Sequence, residues 1–353
     1  MKAVVKYGYG KGETELRDLP IPEIGDDDIL MEVKAAGVCG SDIGFDDGGH
    51  EGVLFPPVVL GHEFAGVVAA VGKNVTDYKV GDRIVSDNTG KVCGKCYSCE
   101  TKDYLVCPER RGLGYGMDGG FAKYVKIHGE TLRTFPGSLF HIPECMSFEE
   151  AAIMDPICNG YRAVVQDGGI LPGEYVAVYG MGPIGLCAVQ AARVSGATKI
   201  ISIGLSADKT RIDLAKQLGA TDVIIRDEED ITARVMEITK GEGVAMAVDA
   251  AGPANVLQSA VPILRAHGKF VKIGYDAMPL GFSMDCVVDK AIHIKGHYGY
   301  DWVSWTNCFK LIEAGMIDLK PIITHRMPLS QFRKAFDMVR SHEAVKIILY
   351  PEE

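Results

Sequence analysis

Residues 175–196 read YVAVYGMGPIGLCAVQAARVSG, and their reading decides the fold. Tyr175–Tyr179 is a short apolar run with the character of a buried strand, and residues 183–196 carry helical spacing. Between them Gly180, Gly182 and Gly185 fit G-x-G-x-x-G. A lone match of this kind is weak. Placed after a strand and opening a helix, it gains the context of a dinucleotide-binding turn. Gly180 allows the tight turn, Gly182 admits a pyrophosphate close to the backbone, and Gly185 permits close helix–sheet packing. Pro183 and Ile184 open the helix, whose free N–H groups face the phosphates.

Outward from this turn the same alternation continues. Strands are predicted at 199–204, 222–225, 244–252, 269–274 and 292–298, with helices at 208–219, 231–241 and 255–268. Strand and helix in alternation means a parallel sheet covered on both faces. The first 140 residues differ. Runs rich in Val, Ile and Ala at 2–8, 29–38, 63–72, 82–86 and 121–127 are punctuated by Gly, Asp and Pro, and that half reads as all-β. From about Trp305 a helix and the strand KIILY (346–350) follow, a tail able to rejoin the N-terminal half.

Length and charge bound the function. The chain has 353 residues, enough for about two domains. Its net charge is −10, which makes nucleic acid a poor main partner. No apolar run approaches the ~20 residues of a membrane span. The N-terminal MKAVVKYGYGKGETE lacks the long apolar core of a signal peptide. The expectation is a soluble cytoplasmic protein acting on a small molecule.

Four of the ten cysteines cluster as Cys93-x2-Cys96-x2-Cys99-x7-Cys107. Two-residue spacers bring successive sulfurs together, and four thiolates satisfy tetrahedral zinc with no open position, which makes the site structural. Disulfide pairing is the alternative, disfavoured in a reducing compartment. A second set is dispersed: Cys39 in CGSD (39–42), His62 and Glu63 in GHE (61–63), and Asp155 in IMDPICNG. Thiolate, imidazole and carboxylate suit a catalytic zinc that keeps a position for water or substrate. From spacing alone each is weak, since a lone histidine is more often structural.

The strand 199–204 ends at Gly204, where an NAD site usually has a carboxylate for the ribose hydroxyls. Ser206, Lys209 and Arg211 offer donors and positive charge to a 2′-phosphate, while Asp208 in the same loop offers a carboxylate to the ribose. Both NAD(H) and NADP(H) stay open, with the balance set slightly to NADP(H). Ile273 and Gly274, closing the strand 269–274, complete the candidate cofactor set. His297 and Tyr298 lie at another strand end, to contact the cofactor or substrate or, the favoured reading, to pack.

The whole chain resembles the zinc-dependent medium-chain alcohol dehydrogenases, especially the branch with sorbitol (polyol) and threonine dehydrogenases. The matching pieces are CGSD (39–42), GHEFAGVVAAVG (61–72), KVGDRIV (79–85), the four-cysteine loop, DGGFAKY (118–124), GMGPIG (180–185) and PIITHR (321–326). The resemblance implies an α/β chain: a GroES-like β-rich catalytic domain (1–155, with a structural zinc lobe at 90–110) interrupted by a Rossmann doubly wound parallel-sheet domain (156–295), with 296–353 returning to the first. It implies two zinc ions per chain. Cys39, His62, Glu63 and Asp155 would serve the catalytic zinc, and Cys93, Cys96, Cys99 and Cys107 the structural one. Ser41 matches the proton-relay hydroxyl. The implied reaction is reversible oxidation of a secondary alcohol of a polyol or sugar-like substrate to a ketone, with L-threonine 3-dehydrogenase as the alternative and a zinc-free or non-catalytic relative as a distant third. The implied assembly is a homodimer or homotetramer. The chain departs from the family at Gly44, where a relay histidine is common, and at Gly299, where the polyol branch has arginine.

Overall fold

The computed structural model describes residues 1–49 and 52–352, so His50 lies outside the described residues. The chain divides into two compact units, one of residues 1–155 with 323–353, the other of residues 156–322.

In the first unit a seven-stranded sheet runs in the order Ile323–Pro328, Lys346–Tyr350, Ile29–Gly37, Glu63–Val71, Arg83–Ser86, Leu139–His141, with Tyr124–Ile127 also paired to Ile29–Gly37. Ile29, Met31 and Val33 alternate inward with half-buried neighbours, the period-two pattern of a strand with one face on a core. Phe64, Phe121, Phe336 and Ile347 are buried in that core. A smaller sheet, Thr14–Asp18, Lys2–Lys6, Val58–Val59, completes the unit. The unit is not all-β. Helices Gly40–Asp46, Gly129–Thr134 and Phe148–Ala152 are too short to leave a periodic signature.

The second unit is a six-stranded parallel sheet ordered Asp222–Ile225, Lys199–Gly204, Tyr175–Tyr179, Val244–Asp249, Leu264–Lys272, His293–Gly296. In chain order this is 3-2-1-4-5-6, the doubly wound dinucleotide-binding arrangement, whose strand order reverses between Tyr175–Tyr179 and Val244–Asp249. All six residues of Val244–Asp249 are buried, as expected of a strand covered on both faces. The helix predicted over 255–268 ends at Ile263. Pro262 leaves it without a donor, and Leu264 is already extended and paired with Val244. The return expected at residue 296 comes later. Helix Trp302–Glu313 still belongs to the second unit, where Asn307 donates to the Tyr161 hydroxyl at 3.1 Å; Ile323–Pro328 is the first strand back in the seven-stranded sheet. Among the described residues no helix is long and apolar enough to cross a membrane.

Candidate metal centres and cofactor turn

Two groups of metal-binding side chains form among the described residues: Cys93, Cys96, Cys99 and Cys107, and Cys39, His62 and Glu63. In each, the ligand atoms all lie within 4.8 Å of one another.

The cysteine group is built locally. Cys96 precedes the single-turn helix Tyr97–Glu100, and Cys107 follows the short 3-10 turn Tyr104–Val106. All four are free thiols. Cys93 and Cys99 sulfurs are 3.9 Å apart, and those of Cys96 and Cys99 3.6 Å. Sulfurs each ~2.3 Å from a tetrahedral ion stand about 3.8 Å from one another, so these spacings fit zinc. A disulfide needs ~2.05 Å. The backbone N–H of Cys99 draws Cys96 down to about 7, while burial pushes Cys99 up to about 12. Apart from cysteine, Val92, Leu105 and Tyr104, whose ring lies 4.6 Å from that of Phe135, supply the lobe's apolar packing, a small core for a loop of this length.

The second group is gathered by sheet register. Strands Ile29–Gly37 and Glu63–Val71 pair antiparallel with Gly37 opposite Glu63, so the residues just past one strand meet those at the start of the other. Cys39 thereby faces His62 and Glu63. A side chain on Gly37 would begin 2.4 Å from Glu63 Oε2, so only glycine leaves room for that carboxylate. Asp42, fully buried, serves both neighbours. Its Oδ2 accepts the Cys39 backbone N–H at 2.9 Å, and its Oδ1 lies 3.4 Å from His62 Nδ1. The contact is electrostatic, since neither atom has a hydrogen-bond partner among the described residues; Nε2 lies 3.3 Å from the Ser41 hydroxyl. A carboxylate behind a histidine is the usual support for a metal-binding imidazole. Burial opposes charge on His62, but Asp42 and Cys39 outweigh it and raise its pKa well above the ordinary value. The thiol, imidazole and carboxylate fit zinc in type, spacing and support.

Glu63 is also held by a residue that sequence reasoning missed. Lys346, buried, donates to Glu63 Oε1 at 2.8 Å, to Oε2 at 2.7 Å and to the Val38 carbonyl at 3.0 Å. Its pKa is raised: burial works against the ammonium, and Glu63, Cys39 and Asp155 more than compensate. The visible signal was a lysine leading the apolar run KIILY. Asp155 stands beside the tight group of three and not within it. Its Oδ2 accepts from Asn88 Nδ2 at 3.1 Å.

In the second unit Gly180 has φ +98°, and a side chain on Gly185 would begin 1.9 Å from the Gly180 carbonyl, so this turn requires glycine at both. A side chain on Gly182 would meet nothing within 4 Å, an open space over the helix N-terminus where Pro183 is the first helical residue and Ile184 the second. Gly274 and Ile273 N–H groups bond the Asp249 carbonyl at 3.0 and 2.9 Å, which sets both beside the point where strand order reverses. At the adenosine end, Ser206 donates its N–H and hydroxyl to Asp227 at 2.8 and 2.5 Å, Lys209 pairs with Glu228 at 2.6 Å, and buried Arg211 lies 3.2 Å from Asp208. Asp208 Oδ2 is 3.2 Å from where a side chain on Gly204 would begin. His297 is buried, its ring nitrogens against Asp167 at 2.7 Å and Asn159 at 3.3 Å, while Tyr298 is partly exposed.

Residues 25–137 match the family described as alcohol dehydrogenase GroES-like domain, and residues 183–314 match zinc-binding dehydrogenase. The chain is 41% identical to YdjL of Escherichia coli, an uncharacterized zinc-type alcohol dehydrogenase-like protein, over 99% of this chain and 98% of that one. It is 35% identical to a sorbitol dehydrogenase of Halalkalibacterium halodurans, over 99% of each. The solved structure of 2R,3R-butanediol dehydrogenase from Bacillus subtilis superposes with a TM-score of 0.88 at 27% identity, over 99% of each chain. Matches this long, over a fold and a donor set that suit them, place the chain in the zinc-dependent medium-chain alcohol dehydrogenase family, related to its sorbitol and L-threonine 3-dehydrogenases, as a zinc- and NAD(P)-dependent oxidoreductase acting on an alcohol-type substrate.

Proposed function

We propose that the chain reversibly oxidises a secondary alcohol of a polyol or sugar-like substrate to a ketone, with the hydride passing to a nicotinamide cofactor. The observation that carries this reading is Cys39, His62 and Glu63 drawn together within 4.8 Å with the Ser41 hydroxyl at the His62 ring. Zinc, when bound, supplies Lewis acidity at the alcohol oxygen, and the nicotinamide supplies the hydride acceptor. Cys39, His62 and Glu63 or Asp155 would hold the catalytic ion; the four lobe cysteines would hold the structural one. Asp42 keeps the His62 ring turned toward the site. Lys346 balances the anionic cluster. Ser41 Oγ would take the alcohol proton and release it to water, since Gly44 has no side chain to pass it on.

For the cofactor we infer NAD(H), reversing the balance read from sequence. Ser206, Lys209 and Arg211 each face an acidic side chain, and the Asp208 carboxylate, held by the Leu205 N–H and Arg211, lies beside Gly204, near the strand end where a ribose-binding carboxylate belongs. A 2′-phosphate there would meet Asp208, Asp227 and Glu228. The four thiols of the lobe suit a reducing compartment, the cytoplasm. Strand His293–Gly296 ends its sheet with all four residues exposed, an edge suited to pairing with a second copy in a homodimer or a homotetramer.

The second reading, oxidation of L-threonine at its hydroxyl carbon, draws on Gly299 standing where the polyol branch carries arginine. One screen tests both. Purified zinc-loaded protein is offered NAD or NADP with polyols, polyol phosphates, sugars, sugar acids, L-threonine and simple secondary alcohols. Turnover with polyols or sugars and NAD is the expected result. Turnover with threonine alone overturns the substrate, and preference for NADP overturns the cofactor.

A further inference from the structure

The four-cysteine lobe and Asp155 are joined by a short hydrogen-bonded chain. The Arg110 backbone N–H bonds the Cys107 carbonyl at 3.1 Å, which ties Arg110 to the turn that closes the lobe. Its guanidinium reaches back to the segment after strand Arg83–Ser86. It donates to the Asn88 carbonyl at 2.7 Å, to Asn88 Oδ1 at 2.5 Å and to the Thr89 carbonyl at 3.1 Å. Lys91 and Arg111 exchange two backbone hydrogen bonds, at 3.0 and 2.8 Å, and clamp the same two segments together. Asn88, itself buried, then donates Nδ2 to Asp155 Oδ2 at 3.1 Å.

The chemistry of the amide makes this chain directional. With Oδ1 committed to Arg110, Nδ2 has to face Asp155. The flipped amide would set donor against donor at Arg110 and acceptor against acceptor at Asp155. A planar guanidinium serves three acceptors on two consecutive residues; a lysine ammonium lacks that fork.

We propose that Arg110 and Asn88 are positioning residues that fix the Asp155 carboxylate from the four-cysteine lobe, so that the ordered lobe sets the geometry of the reacting centre. This rests on the proposed place of Asp155 in that centre. Neither residue needs to touch substrate. Supporting groups behind a metal site typically alter metal retention by about 10–100-fold when removed.

The test uses the full chain with cobalt(II) in place of zinc. The visible band lost in Cys39→Ser identifies the catalytic site, and release of its metal to a chromophoric chelator is timed. Asn88→Ala and Arg110→Lys are each expected to shift that band and to speed release by about 10–100-fold, with melting temperatures within a few degrees of the parent. The double variant is expected to be no worse than the more severe single one, because the two act in series. An unchanged band and release rate in both single variants, where Asp155→Ala alters them, overturns the relay. Multiplying effects in the double variant also overturn it. An unchanged band in Asp155→Ala overturns the underlying reading and the relay with it. Should Asn88→Ala fail to fold, Arg110→Lys, which keeps the charge, decides.

Discussion

The two metal-binding groups are opposites in construction. The cysteine lobe takes its four ligands from fifteen consecutive residues and packs little else around them. The Cys39 group takes its members from two separate segments, brought together by strand register and held by the buried side chains of Asp42 and Lys346. In the first, an ion would organise the chain. In the second, the folded chain organises a place for the ion. A local site therefore depends on its metal for structure, and a dispersed site depends on the fold for its metal.

That contrast is open to attack at several points. The largest effect is expected from Cys39→Ser. Loss of a ligand removes Lewis acidity worth several kcal/mol, so turnover falls by about 10³-fold or more, while the melting temperature stays near the parent value. Zinc analysis should drop from about two ions per chain to about one. A variant that keeps its turnover would remove Cys39 from the site.

Lys346→Met comes next. In metal-free protein it strands the Glu63 carboxylate in a buried place, a change that typically costs about 3–5 kcal/mol. Denaturant unfolding measures it. A cost below ~1 kcal/mol would show that Glu63 has another neutraliser and that the fold does not hold this site as described.

Cys96→Ser should reverse the pattern of Cys39→Ser. The lobe opens without the rest of the chain unfolding, and stability falls by about 2–3 kcal/mol. Limited proteolysis should cut between residues 91 and 110, and one zinc is lost. An intact lobe with that zinc absent would break the comparison.

The smallest effect concerns Asp87, next to Asn88 on the segment that joins the two groups. Burial raises its carboxyl from 3.8 to about 7, against hydrogen bonds from Thr89 and the charge of Arg110 that lower it. A pKa raised on folding means the native state holds the proton more tightly. This contribution to stability is full below about pH 4, declines as pH rises toward 7, and is flat above. Asp87→Asn should flatten that decline, gaining on the order of 1–2 kcal/mol relative to the parent at pH 8. Equal slopes for both proteins between pH 5 and 8 would show that Asp87 is ionised throughout.

The same contrast explains what sequence alone reveals. The lobe is legible because ligand spacing along the chain is ligand spacing in space. The glycine turn is legible because Gly180 takes a positive φ, +98°, and Gly185 packs against the Gly180 carbonyl five positions away, both properties of the motif's own backbone. The Cys39 group became visible through resemblance, since no spacing announces that Gly37 lies opposite Glu63. Lys346 and Asn88 stayed hidden for a further reason. A buried ammonium reads as an exposed one until its partner is known, and an asparagine's orientation is set by Arg110 twenty-two positions away. Around Gly204 the sequence displays the polar side chains but not their partners. Asp227 and Glu228, which follow the strand Asp222–Ile225, accept from Ser206 and Lys209, pairings of residues about twenty positions apart.

The strand Lys346–Tyr350 sits between Ile323–Pro328 and Ile29–Gly37, inside a sheet whose other members, apart from Ile323–Pro328, precede residue 142. During synthesis the second unit, residues 156–322, emerges whole before that strand does. The ribosome thus delivers Cys39, His62 and Glu63 early and the counter-ion of Glu63 about 280 residues later. A nascent chain can shape its nucleotide half while the alcohol half waits with an open slot in its sheet, and the same late insertion that closes the slot neutralises the carboxylate. Ribosome-stalled chains ending before residue 346 would carry a folded dinucleotide unit and an unfinished metal site.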